Sequence, residues 1–517
     1  MRAATTATGS RGVVSSGASQ ASDAGAAVLA GGGTAADAAV AASAVLCVCL
    51  PHATGLGGDM FALVRRPDGV IRAVNASGTA PRHVDGVDAI TATTRDTDVF
   101  RFGPLAATVP GTVRGWIDVL GAAGSLGLEA LLADAIEYAA SGVEITAGVA
   151  NAVRRMAPTL SRDPGCADLF LPGGRPVAAG ETLRQPALAG TLTRLAEGGW
   201  REFYEGETAA ALSASVARSG GVLDIADLAG YESIVGAPVT STYRGREVVV
   251  PGPNSYAQLL LLQLAALETE PSEALAANDD ARLERLMRAR HAAFAAGLDA
   301  IGTTDPADAA VGQRALSALI DRAQSVYRAD TGDPTTAGRL ARGGTTTVAC
   351  ADRDGTVVVI VQSLFRLFGA NVRCPDTGIL LNDRMFGFAT AADTSHIGGT
   401  RPPHTLSPSM VRDGEAVVAI ASPGSIGQTV TLTQVVSNWI DGGLTLAEAV
   451  QMPRWNLQVT TLEPLLEAND GPVPPGVTAV RYGTDGSHGA VTIARWDGAD
   501  GASAVADGRR GVAARSA

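Results

Sequence analysis

The chain contains no lysine: all forty of its basic residues are arginine, set against fifty-two acidic ones, for a formal net charge of −12 over 517 residues. With no basic stripe to neutralise phosphates, nucleic acid is excluded as an expected partner. Arginine without lysine, beside abundant alanine and glycine, points to the coding bias of a GC-rich actinobacterial genome, which concerns source and not mechanism. Cysteine is scarce. Cys47, Cys49, Cys166, Cys350 and Cys374 are odd in number and fit no metal motif, so neither a disulfide framework nor a metal centre is expected. Long apolar runs are missing too: the longest, about 38–50, is too short to cross a bilayer, and the N-terminal MRAATTATGSRG has no apolar signal core. Membrane association is not expected, and a cytoplasmic location is. No cofactor is called for. The histidines at 83, 291, 396 and 488 show no metal-ligand spacing and are assigned no role.

What is present is globular. Nearly half the residues are apolar, and length alone suggests two to four domains. A strand is expected over 12–16, then a helix over 19–30. Glycines 31–33 break that helix, and Thr34 is placed to cap a second one running to about 49, ended by Pro51. His52 opens a glycine-rich turn, HATGLGGD, into a strand over 60–65. The turn is no phosphate loop, since no lysine exists to complete one. Strands are expected over 71–75 and near 239–250, helices over 128–142, 273–297 and 310–328, and a strand over 417–421 followed by a helix over 428–440.

The stretch RGGTTTVACADRDG, residues 342–355, carries the chemistry. Two glycines precede three threonines, an alternating segment follows, and a D-x-D-G turn leads to a second strand over 356–363. A threonine becomes a nucleophile when a base lies beside it, and one base is its own α-amino group once the chain is cut before it. The glycines supply the backbone freedom that an N→O acyl shift needs. An ordinary edge hairpin behind a surface loop fits these residues equally well. The polar, proline-interrupted stretch 329–344 reads as an exposed segment ahead of a cleavage point.

Seven segments in register resemble the γ-glutamyltranspeptidase family of N-terminal-nucleophile hydrolases: GGGTAADAAVAAS with PHATGLGGDMFALV, VPGTVRGW, GGVLDIADLAGY with STYRGREV, GGTTTVACADRDGTVVVIVQS, FGANVRCPDTGILLNDRM, ASPGS and ADGRRGVAA. The resemblance covers nearly the whole chain. It implies an α/β fold, a four-layer αββα sandwich, made as one precursor that cuts itself between Gly344 and Thr345. The partners implied are its own two fragments, 1–344 and 345–517, and a small-molecule substrate. Thr345 would be the nucleophile, Thr347 and Ser363 its hydrogen-bonding neighbours, and the N–H groups of Gly424 and Ser425 the oxyanion hole.

The departures from the family concern substrate. Where the family has an arginine for the γ-glutamyl α-carboxylate stands Ser77, and its asparagine after the hairpin becomes Phe365. The aspartate that holds the α-amino group becomes Gly387, and a serine pair becomes His404 and Thr405. Several charge-assisted contacts, each about 1.5–3 kcal/mol, would be lost by a γ-glutamyl substrate. Arg366, Arg384 and His404 remain to bind a different anionic or heterocyclic group. The resemblance thus implies hydrolysis of an acyl bond in a non-glutamyl substrate of actinobacterial secondary metabolism. Removal of an oxalyl-type side chain by C–C hydrolysis, in alkylproline units of lincosamide or pyrrolobenzodiazepine antibiotics, fits equally. The resemblance also admits a true γ-glutamyl transferase and a non-catalytic scaffold of the same fold.

Overall fold

The computed structural model describes residues 3–84, 101–276, 279–302, 309–329, 343–390, 397–457, 464–467, 477–480, 488–509 and 511–517. Fourteen of its strands form two seven-stranded sheets. In chain order they are β1 (Thr5–Gly9), β2 (Gly12–Ser16), β3 (Asp59–Arg65), β4 (Ile71–Ala76), β5 (Ile234–Gly236), β6 (Val239–Tyr243), β7 (Arg246–Val250), β8 (Gly343–Asp352), β9 (Val357–Arg366), β10 (Ser409–Asp413), β11 (Ala416–Ala421), β12 (Thr492–Trp496), β13 (Ala502–Ala506) and β14 (Ala513–Ser516). One sheet runs β14–β2–β8–β9–β3–β4–β5 and the other β1–β13–β12–β11–β10–β7–β6.

Period-two alternation decides which side chains go where. Along β8, Val348 and Cys350 enter the core under the helices, while Ala349 and Ala351 face the opposite sheet. Along β9, Val358 and Ile360 take the helix side, and Val357, Val359 and Val361 the inter-sheet side. The second sheet mirrors this, with Val418 and Ile420 under its helices and Val417, Ala419 and Ala421 between the sheets. Helices α1 (Ser19–Ala30), α2 (Ala35–Cys49) and α3 (Thr112–Ala123) cover the first sheet. Helices α4 (Gln258–Leu267), α5 (Asp280–Gly302), α6 (Ala309–Ala329) and α7 (Gly427–Ile440) cover the second. The result is the expected αββα sandwich. Both sheets draw strands from either side of residue 344.

Thr34 caps α2 as expected, with Asp37 closing the reciprocal capping box. The edge-hairpin reading is overturned: β8 and β9 are the third and fourth strands of seven, and their residues are almost all buried. They are also longer than expected, because they go on pairing with each other as far as Gly343 and Arg366. The helix expected over 273–297 is instead Ser272–Ala276 followed by α5. Strands β1 and β10 were not anticipated from the sequence; β1 is a small polar run (TTATG) whose partner, β13, lies at the other end of the chain. Most of the stretch proposed to precede the cut, residues 330–342, and His396 lie outside the described residues. Among the described residues no helix is long and apolar enough to cross a membrane, and no three metal-binding side chains cluster.

Candidate active site

Thr345, Ser363 and Asp59 stand side by side on three neighbouring strands, Thr345 opposite Ser363 in β9 and Ser363 opposite Asp59 in β3. The strand alternation that sends Ala349, Val361 and Phe61 between the sheets sends this polar row there too. The Thr345 hydroxyl donates to Ser363 Oγ at 3.1 Å, and the Ser363 hydroxyl donates to the carbonyl oxygen of Gly344. Ser363 Oγ also accepts the N–H of Phe365 at 2.7 Å. One serine thus connects the hydroxyl of Thr345 with the carbonyl of the peptide bond just before it. The ladder is irregular at that bond, where the register shifts between Gly344 and Thr345. Glycine is required at 344 for space: a Cβ there would meet the His52 carbonyl oxygen at 2.6 Å.

Thr347, on the same face, is bonded elsewhere than expected. Its hydroxyl accepts from Thr492 of the opposite sheet at 3.0 Å, which pins the two sheets together beside Thr345. Thr492 pairs with Ala421, the last residue of β11. From there the chain turns through Ser422, Pro423, Gly424 and Ser425 into α7. Gly424 and Ser425 have φ of +137° and +55°. The Ser425 carbonyl accepts from Gln428 N–H and that of Gly424 from Gly427 N–H, both at 3.1 Å. Serine at a left-handed position carries a cost that glycine would not.

The far end of the row is a group of buried charges. Asp59 accepts Gly78 N–H on Oδ1 at 2.9 Å, meets His404 Nε2 on Oδ2 at 2.9 Å and pairs with Arg384 Nε at 3.4 Å. Leu406 N–H reaches His404 Nδ1 at 3.4 Å, so Nε2 carries the proton given to Asp59. Burial, helped by the Arg384 charge, pushes His404 down to about 4, and the imidazole is neutral at pH 7. Arg384 is 1% exposed, with its guanidinium carbon 4.0 Å from the centre of the Phe365 ring; burial lowers it to about 10, and it stays a cation. Asp383, next in the chain, is fully buried and pushed up to about 6, an effect only partly offset by Arg366. Arg366 pairs with it at 3.8 Å and stacks on Phe386 at 3.8 Å. Phe365, Phe386, Phe388, Met385 and Ile397 form an apolar cluster of their own. Phe365 has φ +81°, unusual for a bulky residue, and sits opposite Gly344 across the bulge.

The structure thus brings Thr345, Ser363, Phe365, Arg384 and His404 together. It does not place Ser77 as a ligand-facing group. The Ser77 hydroxyl is buried and donates to Asn75 Oδ1 at 2.7 Å, with Asn254 Nδ2 at 3.3 Å, so it serves the scaffold. Thr405 follows His404, is nearly buried, and lends its carbonyl to Ser407. A side chain at Gly387 would meet Pro402 Cβ at 2.7 Å and the Pro403 carbonyl at 2.9 Å, so the aspartate of the family pattern has no room here. Sequence reasoning missed Asp59 and Thr492. An acidic residue opening an apolar strand, GGDMFALV, was the available signal for Asp59; Thr492 carried none.

Residues 21–516 match the Gamma-glutamyltranspeptidase family, and the chain belongs to it. It is an enzyme of that hydrolase and transferase group. It is 34% identical to the acylase ACY 1 proenzyme of a Pseudomonas species, over 87% of this chain and 83% of that one. It is also 34% identical to the oxamate amidohydrolase proenzyme of Klebsiella pneumoniae, over 83% and 82%. The crystal structure of cephalosporin acylase from Bacillus halodurans superposes with a TM-score of 0.86 at 26% identity, covering 99% of this chain and 97% of that one.

Proposed function

We propose that the protein is a self-processing acyl hydrolase whose nucleophile is Thr345 and whose substrate is not a γ-glutamyl compound. The observation that supports it most is the Thr345–Ser363–Gly344 chain of hydrogen bonds. In the precursor, Thr345 Oγ attacks the Gly344 carbonyl, which Ser363 polarises. The C–N bond breaks, its nitrogen takes the hydroxyl proton, and Gly344 is left as an ester on Oγ. Water cleaves the ester, leaving a Gly344 carboxylate, a free hydroxyl and a free α-amine. An α-amine titrates near about 8, so a useful fraction is unprotonated at neutral pH. It then serves as base when Oγ attacks an external acyl group, and water resolves the acyl-enzyme. The N–H groups of Gly424 and Ser425 receive the oxyanion. The fragments are 1–344 and 345–517.

The buried Ser77, the crowded Gly387 and the neutral His404 speak against an ordinary γ-glutamyl clamp. Relatives described as an acylase and an amidohydrolase support a different acyl donor. A second reading rests on the apolar side chains of Phe365, Phe386 and Phe388. They suit a flat conjugated leaving group, as C–C hydrolysis of an oxalyl-type side chain in alkylproline antibiotic biosynthesis would require.

Intact mass of wild type beside Thr345→Ala tests the proposal. Wild type yields two fragments meeting at Gly344/Thr345, and the variant stays whole and inactive, with turnover down by more than about 10³-fold. An uncut wild type would leave the amine locked in a peptide bond and end the hydrolase reading. Turnover of γ-glutamyl-p-nitroanilide is negligible on this proposal.

A further inference from the structure

A buried run, His488 to Thr492, touches both the strand of Thr345 and the loop of Gly424 and Ser425. At one end Thr492, the first residue of β12, donates its hydroxyl to Thr347 at 3.0 Å, two places past Thr345 on the same face of β8. At the other end Gly489 lies against the start of the loop. A Cβ at 489 would run into Ser422 Oγ and come within 3.0 Å of the Pro423 carbonyl oxygen, and φ there is +74°. Only glycine permits this approach. Pairing of Thr492 with Ala421 ties the same run to the end of β11, from which the loop departs.

Four buried charges stand behind the run. Arg454 pairs with Asp507 at 2.7 Å, and Arg509 with Asp507 at 3.0 Å and with Glu467 at 2.6 Å. Two of the four reach the run itself. Arg454 Nη1 donates to the His488 carbonyl at 3.1 Å. Asp507 accepts Val491 N–H on Oδ2 at 3.2 Å and returns its own N–H to the Val491 carbonyl at 3.0 Å. Buried ion pairs are weak evidence of stability, because apolar side chains of like volume often hold a fold as well; what a hydrogen-bonded set supplies is one geometry. We propose that residues 488–492 are a spacer that fixes the strand of Thr345 against the loop of Gly424 and Ser425, with Thr492 as the positioning residue and Arg454 with Asp507 as its anchor. This rests on Thr345 being the nucleophile, and it adds what holds that threonine in line.

The test uses self-cleavage, a first-order reaction with no substrate to bind. The full chain is made by cell-free synthesis, and the half-life of the uncut form is read for wild type, Thr492→Val, Thr492→Ser, Thr347→Val and the double valine variant. Thr492→Val keeps the volume and removes the hydroxyl. It should lengthen the half-life by about 10-fold, and Thr492→Ser should bring it back to within about 3-fold of wild type. The double variant should be no slower than the slower single one, since both remove the same bond. Melting temperatures should stay within about 3 °C of one another. A purely structural Thr492 would lower Tm and leave the half-life alone, and that result overturns the proposal. So does a slowing that Thr492→Ser does not relieve. Arg454→Lys keeps the charge but loses the two-pronged contact, and it should slow cleavage by about 3-fold or more. A folded Arg454→Lys chain that cuts at the wild-type rate removes the anchor. A wild type that never cuts ends the nucleophile reading and the spacer with it, whereas a normally cutting Thr492→Val ends the spacer alone.

Discussion

The two ends of the polar row differ in how completely they are satisfied. At the Thr345 end the groups answer one another: Thr345 to Ser363, Ser363 to Gly344 and Phe365, Thr492 to Thr347. At the Arg384 end a buried charge is held by one imperfect contact and an aromatic ring, and its outer nitrogens, themselves buried, have no hydrogen-bond partner among the described residues. A closed network fixes geometry, which bond making needs, because a hydroxyl displaced by an ångström loses its line of attack. An open charge is costly to bury, and it is tolerated where a ligand completes it. On the proposed reading, bond making and selection are carried by separate parts, joined at Ser363 and Asp59, which face each other across the β9–β3 ladder.

The closed end can be broken at Ser363. Ser363→Ala leaves the Thr345 hydroxyl without its acceptor and the Gly344 carbonyl without its donor, so precursor cleavage should slow by about 10²-fold, read as the half-life of the uncut chain. An unchanged half-life would take Ser363 out of the centre.

The open end is probed by acid. His404, held at about 4 against an ordinary 6.5, takes up a proton in the unfolded chain before it does so in the folded one. Its contribution to stability is therefore complete above about 6.5 and lost as pH falls from there to 4, by roughly 3 kcal/mol. Asp383, raised to about 6 from 3.8, works in the opposite sense: its contribution is present below the ordinary carboxylate range and lost as pH rises through 6. Denaturant titrations of wild type and His404→Gln between pH 4 and 7 isolate the first effect, and the difference between them should narrow as pH falls. A constant difference would mean that His404 titrates normally.

The smallest expected effect sits at the loop between β11 and α7. Ser425→Gly relieves a left-handed serine and should raise unfolding stability by about 1 kcal/mol in a denaturant melt, while keeping the N–H in place. Loss of stability would show that the Ser425 side chain holds the loop.

The closed end was the more legible of the two in the sequence. Thr345, Ser363 and the strands that carry them lie within one hairpin, and local alternation and turn residues announce a hairpin. Its position inside the sheet was not legible, because the flanking strands β2 and β3 come from the first 65 residues and only tertiary pairing brings them in. His404 stood out as a departure from a family pattern, and Arg384 as a remaining candidate to bind an anionic group. Their common tie to Asp59 did not, since His404 and Asp59 are 345 positions apart. Ser77 read as a pocket residue by position, yet its hydroxyl had nearer partners in Asn75 and Asn254.

The order of strands has a consequence for the proposed cut between Gly344 and Thr345. In the first sheet β14, β8 and β9 follow the cut, and β2, β3, β4 and β5 precede it; in the second, β1, β7 and β6 from before the cut flank four strands from after it. The two fragments are woven through each other, like warp and weft. The proposed cut after Gly344 would sever a covalent link while leaving no seam along which the halves could part. Separating them would mean melting both sheets, so a processed chain would gain a new terminus for chemistry and keep the cohesion of a single chain.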